Sequence, residues 1–274
     1  MNRKLYLTAT ACTLWAATCS ADELADKGRD IFKKNQHAVI TVEEVLKVTY
    51  SGGGRSSNPS EIKQDLTGTV IDPSGLTVMA LSAVDPAELG RRMSEDNRYE
   101  TQVNDMKMLL EDGTEVPSEI VLRDKDLDLA FIRPKTKPTQ PMEAVDLNKS
   151  ASVEVLEPVI SLNRLNRAAG RAYSACFERI NAVIQKPRTF YIPDTTQSTT
   201  SLGSPAFNLN GNIVGIFVIR AVTGGDSNAR SRAENMTAIL IPAEDILQGA
   251  KQAPEAKGET DKTAEKPADA KSQN

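Results

Sequence analysis

Between Ala38 and Ile241 the chain is a succession of short β-rich runs broken by turn signals, and this pattern constrains its fold more than any other feature. Runs dominated by Val, Ile, Leu and Thr stand at 38–42, 67–72, 76–80, 107–111, 115–121 and 129–133. Asp72-Pro73-Ser74-Gly75 and the hairpin signal Asp112-Gly113 punctuate them. A proline-bearing stretch at 135–140 reads as a link, after which the style repeats at 153–162, 172–183, 189–192, 206–209, 213–221 and 238–241, with Asn210-Gly211 as a second hairpin signal. Many short strands with little helix predict an all-β sandwich or barrel in two halves, about 35–134 and 141–250. A short N-terminal helix over 22–34, with Leu24, Ile31 and Phe32 as its apolar contacts, and another at 243–250 flank the strands. Residues 51–60 read as a hairpin tip and 85–104, polar and charged, as a surface loop with a short helix.

Composition narrows the function classes. Of 274 residues, 39% are hydrophobic but only 4% aromatic, so the core must rest on Val, Ile, Leu and Ala. A net charge of −4 argues against nucleic acid as the main partner, because phosphate binding needs a basic face. The first residues read as an export signal. Asn2-Arg3-Lys4 is followed by an uncharged apolar run over 5–17, and Cys19-Ser20-Ala21 places small residues before Asp22. The expectation is therefore a signal peptide at 1–21 and a periplasmic or secreted protein, whose net charge is −4 − 2 = −6 once Arg3 and Lys4 are removed. Acylation at Cys19 is disfavoured, since Ala16-Ala17-Thr18 lacks the usual lipoprotein pattern. After residue 21 nothing approaches the roughly 20 apolar residues of a membrane helix, so no integral membrane segment is expected in the mature chain.

With Cys12 and Cys19 in the signal, Cys176 stands alone. One thiol makes neither an intramolecular disulfide nor a zinc cluster, and its simplest role is that of a small buried hydrophobe. The chain carries no phosphate-binding loop, metal constellation or dinucleotide fingerprint, so no cofactor is expected. Residues 251–274, with five lysines against five acids and almost no large apolar residue, predict a disordered tail.

Three segments, correct in order and spacing, resemble the trypsin-like serine proteases, especially the bacterial HtrA/Deg type. The first runs Thr67-Gly68-Thr69-Val70-Ile71-Asp72-Pro73-Ser74-Gly75-Leu76 and on to Ser82-Ala83-Val84. The second is Asp112-Gly113-Thr114 followed by Asp126-Leu127-Asp128-Leu129-Ala130-Phe131-Ile132. The third is Phe190-Tyr191-Ile192-Pro193-Asp194 through Thr200-Ser201-Leu202-Gly203-Ser204-Pro205-Ala206, continued by Asn210-Gly211-Asn212-Ile213-Val214-Gly215-Ile216. The resemblance covers about 35–250 and implies two six-stranded antiparallel β-barrels. A counterpart of the family's peptide-binding PDZ domain is not expected in this chain.

The family's mechanism needs a serine nucleophile, a histidine base, an aspartate orienting it, and backbone donors for the oxyanion. The resemblance carries the histidine onto Ser82, the aspartate onto Asp128 and the nucleophile onto Leu202. Leu202 has no lone pair to attack a carbonyl, and a serine hydroxyl does not titrate near neutrality, so Ser82 is no general base. The oxyanion turn falls on Thr200, Ser201 and Leu202, where a β-branched Thr200 replaces glycine and puts the hole in doubt. His37, the only histidine, lies far ahead of the expected position, and Ser201 and Ser204 flank the lost nucleophile. Asp194 falls on the specificity-pocket side of the site and reads equally as a turn residue. Arg164, Arg167 and Arg171 read as a solvated basic group or a contact for an acidic partner.

These residues lead to an expected catalytically inactive trypsin-like homologue in the cell envelope, binding a peptide or protein partner. Loops at 85–104 and 222–235 are the first places to look for recognition. Two alternatives stand beside it: an active serine endopeptidase with a non-standard catalytic arrangement, and a structural envelope protein without a specific ligand.

Overall fold

The computed structural model describes residues 19–52, 55–56, 58–93, 99–194, 201–222 and 235–255. Most of the expected signal segment and residues 256–274 of the expected tail lie outside them. In chain order come helix α1 (Cys19–Asn35), strands β1 (Val39–Gly52), β2 (Arg55–Ser56), β3 (Ser60–Val70) and β4 (Thr77–Ala80), and helices α2 (Leu81–Val84) and α3 (Pro86–Met93). Strands β5 (Tyr99–Leu109), β6 (Glu115–Asp124) and β7 (Leu129–Pro134) complete the first half. The second half comprises β8 (Pro158–Arg164), β9 (Tyr173–Ile184), β10 (Phe190–Pro193), β11 (Pro205–Asn208), β12 (Ile213–Ala221), β13 (Met236–Pro242) and α4 (Ala243–Ala250).

Each half closes on itself as a six-stranded antiparallel barrel, the architecture that the resemblance implied. The first runs β1-β3-β4-β7-β6-β5 and closes through β1–β5, while β2 pairs only with the far end of β1. The second runs β10-β13-β12-β11-β8-β9. Period-two alternation sorts side chains inward and outward. Ile40, Val42, Met106, Met108 and Ile132 fill the first barrel, and Val159, Ile180, Val214, Phe217 and Leu240 the second. A third cluster lies between the barrels and joins Val78, Leu129 and Phe131 to Ile216, Val218 and Ile241. Helix α1 packs Ile31 and Phe32 against this cluster, and α4 adds Ile246. Burying each such side chain fully is worth about 1.5–3 kcal/mol, so the seam between the barrels is as well founded as their interiors.

Two local expectations need correction. Residues 85–104 are not mainly a loop: α3 occupies the start, and β5 begins at Tyr99 and pairs with β1 as far as Tyr50↔Tyr99. This end of β5 is exposed or half-exposed, so its polar composition concealed a strand solvated beyond the barrel. Conversely, 153–162 is not strand throughout. Leu156 has φ +71° and interrupts the extended course, and β8 starts only at Pro158.

Candidate functional site

The site forms where β4 ends, β7 begins and β12 passes from the other barrel. The Asp124 carboxylate Oδ1 accepts the backbone N–H groups of Asp126 and Leu127, both at 3.0 Å, which winds the chain into a turn ahead of Asp128. Asp128 itself has φ +58°, a left-handed conformation that aspartate tolerates better than most residues. Its carbonyl accepts Leu81 N–H at 2.8 Å, fixing the start of α2 over the carboxylate.

That carboxylate is buried and well supplied with donors. Ser82 N–H donates to Oδ1 at 2.9 Å, Ser82 Oγ donates to Oδ2 at 2.7 Å, and Ile219 N–H donates to Oδ2 at 3.1 Å. Ser82 and Asp128, 46 residues apart in sequence, are therefore brought together as the aligned segments implied, and β12 of the second barrel completes the cradle. Such a group holds an anion in place. Its hydroxyl takes no proton near neutral pH, so it supplies no general base.

The turn Ser201–Ser204 is closed by Ser204 N–H donating to Ser201 O at 3.1 Å and is held to β12 by Gly203 N–H donating to Phe217 O at 2.8 Å. Gly203 occupies it with φ +92°. Leu202 is half-buried, and its side chain packs on the cluster between the barrels. Ser204 is fully buried, with Oγ donating to Asn163 Oδ1 at 3.2 Å; Thr67 Oγ1 donates to the same oxygen at 3.2 Å. Ser204 thus belongs to a buried polar junction and presents no nucleophile to solvent. Thr69 Oγ1 adds a second tie, donating to Gly203 O at 2.8 Å. Sequence reasoning missed the Thr67–Asn163–Ser204 junction; buried polar positions within β-rich runs were the only local signal.

The remaining candidates lie elsewhere or in other company. Thr200 is outside the described residues, as are 195–199 and most of the 222–235 segment. Asp194 is exposed at the end of β10, its N–H donating to Arg179 O at 2.7 Å. His37 Nδ1 lies 2.8 Å from Glu111 Oε2, and its ring meets Tyr173 edge-on at 5.3 Å. Its contacts are thus with β9 and the β5–β6 turn rather than with Ser82, Asp128 or Leu202. Cys176, on β9, is half-buried, makes no disulfide among the described residues, and lines a groove of about 310 Å³ against α1.

Of the arginine group, Arg167 and Arg171 are not simply solvated. Arg167 Nη2 reaches Asp65 at 2.6 Å and Glu43 at 3.2 Å, and Arg171 Nε reaches Asp65 at 2.7 Å, joining the second barrel to β3 and β1. Burial raises the Asp65 pKa, but hydrogen bonds from the two guanidiniums outweigh it and bring the carboxyl down to about 2. Arg164 stacks over the Tyr173 ring at 4.0 Å. Among the described residues no group of three His, Cys, Asp or Glu side chains is placed to hold a metal, and no helix is long and apolar enough to cross a membrane.

Residues 66–216 match the family model described as the trypsin-like peptidase domain. Among solved structures, the chain is similar to the apo form of the MamO protease domain from Magnetospirillum magneticum, with 16% identity and a TM-score of 0.49 over 79% of this chain and 97% of that one. No curated protein sequence matches significantly.

Proposed function

Because the chain belongs to the trypsin-like peptidase family, we propose that it is a member, of HtrA/Deg descent, that has given up peptide cleavage and serves as a binding protein in the cell envelope. One observation carries the proposal: at the position where the family's histidine would meet the aspartate, Ser82 Oγ donates to Asp128 Oδ2 at 2.7 Å. Serine there satisfies the buried carboxylate but takes no proton from a nucleophile. Leucine at the nucleophile position, packed on the core, points the same way. Export to the envelope is supported by the charged, apolar and small-residue succession at 1–21.

The scaffold needs no triad to persist, since its barrels and seam rest on apolar packing. An extended peptide or a protein surface is the ligand class we assign, because pairing with a strand edge is a backbone property that survives loss of catalytic side chains. Leu202 fills space beside the turn, which favours a partner seated on the outer surface over one inserted at the former nucleophile.

The test is a fluorophosphonate serine-hydrolase probe, together with turnover of unfolded casein, on the folded protein. We expect neither labelling nor turnover. Labelling abolished by Ser201→Ala would instead identify a displaced nucleophile and an active enzyme.

A further inference from the structure

One buried carboxyl takes no part in the Asp128 cradle. Glu44 lies on β1 on the face that carries Ile40, Val42 and Leu46, turned into the first barrel, and has no exposed surface. Its Oε2 accepts Gln64 Nε2 from β3 at 2.8 Å; its Oε1 is buried and has no hydrogen-bond partner among the described residues. Half of a carboxylate left unanswered in an apolar barrel is unfavourable, and the neutral acid lowers that cost.

On β3 the group facing Glu44 is the uncharged Gln64, and on β5 the register partner is Met106. From the α2–α3 junction Asp85 contributes negative charge, and from β6 Arg123 contributes positive charge. Asp85 is itself held by Glu88 N–H at 3.2 Å, by Arg91 at 3.5 Å and by the Thr101 hydroxyl. Burial pushes the Glu44 pKa up to about 7; the Gln64 hydrogen bond and Arg123 oppose this, and Asp85 reinforces it.

Gln64 gives this buried proton a connection. The same Nε2 that donates to Glu44 also donates to Ala83 O at 3.2 Å. Ala83 sits in α2 directly after Ser82, whose N–H and Oγ hold Asp128. A continuous chain of contacts therefore runs from Glu44 through Gln64 to the turn at the candidate site.

We propose that Glu44 is a proton-operated latch on the α2 turn, with Gln64 as the link. With Glu44 neutral, one amide hydrogen of Gln64 serves the acid and the other serves Ala83 O. With Glu44 ionised, the carboxylate draws the amide and water toward its unanswered oxygen, and the hold on Ala83 weakens. The turn carrying Ser82 is then tighter at acid pH and looser at alkaline pH. This holds whether or not the protein cleaves peptides.

The experiment is a backbone amide NMR pH titration of the folded protein, in the wild type, Glu44→Gln and Gln64→Ala. In the wild type, the Ser82, Ala83 and Val84 amides should shift with a common midpoint near 7, and Leu46 and Met106 beside Glu44 should share it. Glu44→Gln should abolish the step at every one of these positions. Gln64→Ala should keep it at Leu46 and Met106 and lose it from 82–84. No step at 82–84 in the wild type overturns the latch, as does a step unchanged in Glu44→Gln. A step that persists at 82–84 in Gln64→Ala also overturns it, and that variant decides the matter if Glu44→Gln does not fold. No outcome depends on peptidase activity, so failure of the latch and failure of the binding-protein reading are separate results.

Discussion

Gly203 lies against the carbonyl of Thr67 so closely that a Cβ built on it would stand 2.2 Å from that oxygen. The two residues belong to different barrels, and Thr69 Oγ1 donates back to Gly203 O at 2.8 Å. Both the close approach and the φ of +92° demand glycine here. Gly203→Ala should therefore push the barrels apart locally and cost about 3 kcal/mol or more, read as a drop in the urea midpoint. A loss below about 1 kcal/mol would show that the seam yields easily.

The Ser82 hydroxyl is one of the donors to a buried carboxylate, and Ser82→Ala withdraws it while leaving the Ser82 and Ile219 amides in place. The expected cost is about 1–3 kcal/mol of unfolding free energy, the range for a hydrogen bond to a charged group. An unchanged stability would mean that water replaces the hydroxyl, and that Ser82 does not anchor Asp128.

Glu44 sets a pH dependence of global stability. Its pKa is raised in the folded state to about 7 from 4.5, so the folded chain binds the proton more tightly than the unfolded one. Its contribution is full below about 4.5, is lost as pH rises, and is gone above about 7, a span of roughly 3 kcal/mol. Chemical denaturation across that range should show stability falling in the wild type more steeply than in Glu44→Gln. Parallel curves would place the ionisation elsewhere.

Asp65 works in the opposite sense. Its folded pKa, lowered to about 2 from 3.8, gives stability that is present above about 3.8 and lost as pH falls toward 2. The guanidiniums of Arg167 and Arg171 are 50% and 30% exposed, so screening reduces the clamp to about 1 kcal/mol. Asp65→Asn should cost that amount at low ionic strength and much less in about 1 M salt. A salt-independent loss would assign the effect to packing.

The family segments made the meeting of Ser82 with Asp128 legible, because Ser82 lies just past the patterned strand β4 and Asp128 directly precedes β7, and β4 and β7 pair with each other. The same signal singled out Leu202, whose side chain packs on the cluster between the barrels. Less was legible at 85–104, where a strand solvated outside the barrel loses the alternation that marks a half-buried one. The Arg167–Asp65 clamp was misread for a different reason: the partners are 102 residues apart, and local charge patterning reports only neighbours along the chain.

The sequence alone determined the all-β class and the division into two strand-rich halves, and its family resemblance pointed to Ser82, Asp128 and Leu202 as the residues to look at. These follow from the period-two alternation, the turn residues and the motif spacing, all of which are local. Tertiary structure alone decided which polar groups are buried together: Thr67 and Ser204 on Asn163, Ile219 N–H on Asp128, and Gln64 between Glu44 and Ala83. These contacts arise when two closed barrels meet and one barrel end is capped. Their energy depends on burial and on distances across the fold, neither of which is written in the order of residues along a strand.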